Sequence, residues 1–469
     1  MISVRRRGAA RLAVAVLASG LVAAGAIAGA GPAVADDAVP NQGGATATLG
    51  GLKTADQAVI HQEDGEDQQV GAGLFEMTVD GGGTLQTYCI DIHNPTQRQA
   101  QYQEVPWSAS SLHDNADAGK IRWILQNSYP QVNDLSKLAQ AADTGTLTEK
   151  TAAAGTQVAI WRYSDHAEVD AVDPEAEKLA DYLEKNAKDL EEPRASLTLD
   201  PSAVSGKSGD RLGPIGVNTD AEKVTVTPSP AAAASGVKVV GKDGRPVTSA
   251  TNGSELFFDV PSGTPDGSTS LTVQATTTVP VGRAFSSQTK SQTQILAGSS
   301  ESTVSATATA NWAKKGAIPA LSAEKNCAKG GVDITAANQG DEPFTFELAG
   351  AKHTVEAGKS ETVTIPVKED QAYDFTIKGP NGFEKTFSGV LDCKTAGPTP
   401  GDDTDKPSSE PSPATAGGTT GGSTGGGDLA ETGSSDATPM IAGIAIALVA
   451  VGGGTVFFLR KKKTSGAAE

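Results

Sequence analysis

Residues 74–92 read LFEMTVDGGGTLQTYCIDI, and this stretch decides the fold of the N-terminal part of the chain. Residues 74–79 alternate, Asp80-Gly81-Gly82-Gly83 supplies a turn, and residues 84–92 return. That pattern is a β-hairpin. On its second strand Tyr88, Ile90 and Ile92 share one face and Cys89, Asp91 and His93 the other. Downstream the composition becomes helical. Thr146 and Glu149 predict a capping box for a helix running to about Tyr163. Asp173-Pro174 opens a second helix, with Ala176, Leu179, Ala180 and Leu183 on its apolar stripe. Residues 36–195 therefore read as an α+β domain holding Trp107, Trp123 and Trp161, three of the four tryptophans.

Beyond it the chain turns to Thr, Ser, Val and Gly. Short runs at residues 197–199, 224–227, 237–240, 256–260, 270–279 and 303–312 predict the strands of a β-sandwich over 196–318. Residues 319–394 form a smaller β unit with strands near 332–336, 344–348, 361–367 and 373–377. So small a unit buries a thin core, and Cys327 and Cys393 bracket it. A disulfide between them would contribute about 4 kcal/mol in the chain-entropy account. Residues 395–428 are Gly, Ser, Thr, Pro and Asp, the composition of a disordered stalk. The expected fold class is multidomain and mainly β: an α+β domain, two β-sandwich (Ig-like) domains, the stalk and a C-terminal membrane helix. Lys207 and Asn311 are candidates for an intramolecular Lys–Asn crosslink in the sandwich.

The two ends carry processing signals. Arg5, Arg6, Arg7 and Arg11 precede an apolar run, and Ala33-Val34-Ala35 closes it, which makes 1–35 a signal peptide. At the other end Leu429-Ala430-Glu431-Thr432-Gly433 precedes an apolar run at 438–459 and Arg460-Lys461-Lys462-Lys463. The run can cross a bilayer, and the basic cluster holds the tail inside. Residues 429–469 resemble a sortase sorting signal of the LAxTG variety. That resemblance implies a Gram-positive cell, cleavage after Thr432 by sortase and linkage to cell-wall peptidoglycan, with a membrane stage only before sorting. The whole chain has 38 Lys and Arg against 56 Asp and Glu. Without its processed ends it has 30 against 54, a net charge of −24. So acidic a body repels nucleic acid and anionic lipid.

Pairing Cys327 with Cys393 leaves Cys89 over in an exported chain, which points to intermolecular pairing or a reactive thiol. Residues 156–161, TQVAIW, place Gln157 with Ala153, Ile160 and Trp161 on the apolar face of the first helix. A buried amide is costly unless paired, and a cysteine opposite would explain it. Thiol attack on the carboxamide with loss of ammonia would leave an internal thioester. Here the sequence resembles the thioester domains of Gram-positive surface adhesins, with their aromatic-Cys pair and TQxA motif, over roughly residues 45–190. The resemblance implies a Cys89–Gln157 thioester that a target's lysine amine opens, leaving a permanent amide. The protein is then consumed in a single capture and is not a turnover enzyme. His93, two residues beyond Asp91 on the Cys89 face, is a candidate base for the attacking amine with Asp91 beside it, or else a solvated histidine; no cofactor is required.

Other readings of the same residues stay open at this stage. Cys89 can be an inert core cysteine. It can be the nucleophile of a cysteine hydrolase or transglutaminase-like enzyme, with His113 or His166 as base. Cys89, Asp91 and His93 can be metal ligands, although one strand supplies too few. The thioester can also be a structural crosslink in a passive wall protein.

Overall fold

The ladder that begins at Thr46 closes on itself. β1 (Thr46–His61) pairs antiparallel with β2 (Asp67–Val79), and β2 with β3 (Thr84–Cys89) across the glycine turn. β4 (Gln101–Val105) returns to the start of β1. Two later segments complete the circle: Ala284–Ser287 pairs with β4, Gln294–Ser299 pairs with β3, and the two pair with each other. The result is a six-stranded antiparallel ring, with β5 (Val169–Ala171) added on the outer part of β1. The computed structural model describes residues 43–394 apart from Glu63, Asp64 and Glu66. The expected signal peptide, stalk, sorting signal and membrane helix lie outside those residues. Among the described residues no helix is long and apolar enough to cross a membrane.

The hairpin at 284–299 departs from the expectation that 196–318 is a self-contained sandwich. Its strands are buried along nearly their whole length, so neither has a wet face to impose alternation. A strand covered on both sides loses the period-two signal that sequence reading relies on.

Four helices follow: α1 (Ala118–Asn127), α2 (Leu135–Ala141), α3 (Glu149–Ser164) and α4 (Pro174–Asn186), of which α3 packs on the ring and α1 and α4 pack on α3. Nearly all of α3 is buried between β1, β2, β3 and α4. Its cap is Thr148, not Thr146. The Thr148 hydroxyl accepts the Thr151 N–H at 3.2 Å, and the Thr151 hydroxyl accepts the Thr148 N–H at 2.9 Å. Glu149 falls in the first turn instead, where its charge suits the helix dipole. Gly155 lets α3 approach α4, because a Cβ there would lie 2.4 Å from the Ala176 carbonyl oxygen. α4 is capped by Asp173 and buries Ala176, Leu179, Ala180 and Leu183, as its pattern predicts.

Residues 197–313, without the hairpin, form the sandwich. A four-stranded sheet (238–241, 255–259, 211–219, 197–200) faces a five-stranded one (249–250, 224–228, 267–278, 301–313, 203–207). The candidate crosslinking pair is engaged elsewhere: Lys207 Nζ donates to Asp341 at 2.8 Å and Asn311 Nδ2 to the Pro319 carbonyl at 2.9 Å. The last unit has a three-stranded sheet (319–326, 331–338, 359–366) and two hairpins around Phe344, Phe346, Ile377 and Phe387. Cys327 and Cys393 are joined in it, with Cys89 free.

A buried ion pair ties the ring together. Glu104 on β4 accepts Arg283 Nε at 2.9 Å, the Ala45 N–H at 3.1 Å and the Ser196 N–H at 3.0 Å. Both charged side chains are almost wholly withdrawn from water. Removing one partner of such a pair leaves a buried charge uncompensated. Arg283→Ala should therefore lower stability by about 3–5 kcal/mol in urea unfolding. A chain ending at residue 195 should show no cooperative transition, since β3 and β4 would both be left as open edges.

Candidate functional site: the Cys89–Gln157 pair

Cys89 is the last residue of β3, and its strand partner across the ring is Gln294. Gln157 sits in the middle of α3. Both are completely buried. The Gln157 carboxamide is bonded to the main chain of Cys89 at both ends: Oε1 accepts the Cys89 N–H at 2.9 Å, and Nε2 donates to the Cys89 carbonyl at 2.8 Å. This answers the burial cost in a way the sequence reading did not anticipate, because two backbone bonds satisfy the amide without any crosslink. The same two bonds place the carboxamide beside the cysteine.

The expectation that the strand runs on to Ile92 is corrected. β3 ends at Cys89, and residues 90–94 turn away. The turn is held by the Ile92 N–H on Asp165 Oδ1 at 2.9 Å and by Ser111 Oγ on the Ile90 carbonyl at 3.2 Å. His93 is exposed in that turn, whereas Asp91 is fully buried. The Asp91 N–H donates to the Cys89 sulfur at 3.3 Å, and Asp91 Oδ2 accepts from Asn94 at 2.6 Å. Asp91 Oδ1 has no hydrogen-bond partner.

The electrostatics follow from burial. Burial pushes the Cys89 thiol well above its usual range, and the nearby carboxyls of Asp165 and Asp91 add to the rise. The buried Trp161 indole N–H has no acceptor at hydrogen-bond distance, yet lies close enough to offset part of it. Asp91 is raised strongly by burial, then by Asp165 and Asp392. Asp165 is half-buried overall, but withdrawal of its carboxyl from water raises it to about 6; burial does the same for Asp392.

Neither histidine of the enzyme reading hydrogen-bonds to Cys89. His113 Nδ1 lies 3.2 Å from the Ser110 carbonyl oxygen, and His166 borders an open cleft with Arg162 and several carboxylates. The ligand atoms of Cys89, Asp91 and His93 do not gather; among the described residues Glu369, Asp370 and Asp392 are the three acidic groups that do. Asp165 and the 291–294 segment were missed by the sequence reading. Asp165 follows the end of α3 and could have been noticed there; nothing local marks Thr293 or Gln294.

Residues 86–189 match the family model of the thioester domain. Residues 319–390 match the C-terminal domain of bacterial phospholipase C, a likeness the sequence reading had not identified. Among solved structures the chain is similar to the Bacillus anthracis TIE protein, at 15% identity and TM-score 0.27 over 75% of this chain and 81% of that one. It is also similar to the thioester domain of the Enterococcus faecium TIE86 protein, at 17% identity and TM-score 0.26 over 58% and 97%. No curated protein matches the chain.

Asp165 and Asp392 define a pH dependence. Each has a folded pKa of about 6 against an ordinary 3.8. The folded state therefore holds more protons than the unfolded one between about pH 4 and 6, and stability falls as pH rises through that window. Asp165→Asn and Asp392→Asn should raise the unfolding midpoint at pH 7.5 and leave it nearly unchanged at pH 4. Equal effects at both pH values would contradict the assignment.

Proposed function

We propose that this chain is a wall-anchored surface adhesin in which Cys89 and Gln157 form an internal thioester that captures an amine of its target. The observation that carries the reading is the double hydrogen bond between the Gln157 carboxamide and the Cys89 main chain, with both residues fully buried. The Cys89 sulfur attacks Gln157 Cδ, the thiol proton passes to the leaving nitrogen, and ammonia departs. As the carbonyl becomes tetrahedral, charge develops on Oε1, where the Cys89 N–H already donates. Nε2 leaves from its place on the Cys89 carbonyl. Capture reverses the roles. The target amine attacks Cδ, the C–S bond breaks, the sulfur takes up the proton, and an amide links the two molecules.

The raised thiol pKa supports this reading over the enzyme alternative. A turnover cysteine enzyme needs a thiolate at neutral pH, usually beside a base. Here burial opposes ionisation and no histidine is bonded to the sulfur. A thiol that resists ionisation is also a poor leaving group, so the acyl bond is slow to break while it stays buried. The expected sorting signal would place this site outside the cell wall on its stalk. Sortase, peptidoglycan and an amine-bearing target are the implied partners.

Two measurements test the reading. The chain from residue 36 to 428, prepared without amine buffers, should weigh one ammonia less than its sequence requires. Methylamine should add once and release one titratable thiol. Cys89→Ala and Gln157→Ala should each have full mass and take up no amine. A wild-type chain of full mass with a free thiol contradicts the thioester; a missing ammonia without amine uptake leaves a structural crosslink. Separately, Thr432→Ala should move the protein from the wall fraction to the membrane or medium, and unchanged wall attachment would exclude sortase.

A further inference from the structure

The hairpin that closes the ring is gripped at both limbs from the last domain. Lys325 Nζ, on the strand Pro319–Asn326, donates to Ser286 Oγ at 2.9 Å on the first limb. Thr293 Oγ1, just before the second limb, donates to Asp392 Oδ2 at 3.0 Å. Ser286, Thr293 and Asp392 are buried, and Lys325 is half-buried. The two gripping residues are neighbours of the disulfide: Lys325 lies two residues before Cys327, and Asp392 immediately before Cys393.

From Thr293 the contacts run straight to the reactive pair. The Thr293 carbonyl accepts the Ile90 N–H at 3.1 Å, and Gln294 is the strand partner of Cys89. Gln294 Oε1 accepts the Thr87 hydroxyl at 2.9 Å on the same strand. Asp392 faces Lys325, Glu369, Asp370 and, across Thr293, Asp91. The main chain on which Gln157 is held is thus itself held by a segment that the last domain grips.

We propose that residues 319–394 act as a clamp on the reactive site, with Asp392 and Lys325 as positioning residues and the Cys327–Cys393 disulfide fixing the distance between their two grips. Its chemical consequence rests on the thioester reading above. While the clamp is closed, β3 stays paired on both sides and water is kept from the acyl bond; opening it, by a dithiol that reduces the disulfide and is itself oxidised, or by loss of Asp392, lets the 291–294 segment fray and exposes the bond.

The test uses the chain from residue 36 to 428 and the variants Asp392→Ala, Asp392→Asn and Cys327→Ala/Cys393→Ala. Two quantities are read: amide hydrogen exchange over residues 88–92, and the rate at which the missing-ammonia form gains water without amine. Asp392→Ala and the double cysteine variant should speed both about tenfold, the loss expected from one buried hydrogen bond to a charged group. A buried bond should react faster with small amines than with bulky ones in the wild type, and these variants should narrow that preference. Asp392→Asn keeps an acceptor for Thr293 and should stay within about twofold of wild type. If these variants lower the melting temperature but leave exchange at 88–92 and the amine preference unchanged, the last domain is structural only and the clamp is overturned. If the wild type never lacks ammonia, the thioester reading fails, and the exchange measurement alone decides the clamp.

Discussion

The pairing of Gln294 with Cys89 joins two strands far apart in the chain, and the reactive site depends on it. Without it β3 would be an edge strand, with its outer N–H and C=O groups open to water or to another chain. With it β3 is an interior strand. Its last residue can then offer its N–H and carbonyl to Gln157 from a fixed position. The buried Glu104–Arg283 pair serves the same end on the other side of the hairpin, tying Ala45, Ser196 and the returning chain to β4. The domain that holds Cys89 and Gln157 is therefore finished by a segment supplied after most of the sandwich has been made, and the parts do not behave as independent beads.

A second consequence concerns proton distribution. Cys89, Asp91, Asp165 and Asp392 are all withdrawn from water, and each is pushed toward its protonated form chiefly by burial. Such a site holds its protons to higher pH than an ordinary cluster of three carboxyls, with Asp165 and Asp392 titrating at about 6. It is unfavourable for a free thiolate and favourable for a neutral acyl bond. Lys325 fits the same picture from the far side: burial lowers its pKa against the pull of Asp392 and Glu369.

Much of this was legible in the sequence, and the failures have physical causes. Cys89 and Gln157 stood out because an odd cysteine and a glutamine on an apolar helix face are both unusual. α4 was legible because its Asp-Pro start and its stripe agree. The strand was read too far, to Ile92, because apolar residues continue past Cys89; the chain turns there since Asp165 and Ser111 capture the Ile92 N–H and the Ile90 carbonyl. The same turn brings the Asp91 N–H to the Cys89 sulfur, where a strand had been expected, and carries His93 out to solvent. The 284–299 hairpin gave no periodic signal, being covered on both faces. Its destination is fixed by tertiary pairing, which no local pattern encodes. Lys325 and Asp392 were invisible for the same reason, although the neighbouring cysteines were not.

The most direct test of the central claim is a high-resolution crystal structure of the chain from residue 36 to 428, grown without amines. The account predicts one continuous bond from Cys89 Sγ to Gln157 Cδ, no nitrogen at the Nε2 position, and the acyl oxygen still accepting the Cys89 N–H. Separate cysteine and glutamine side chains, with the carboxamide nitrogen intact on the Cys89 carbonyl, would contradict it.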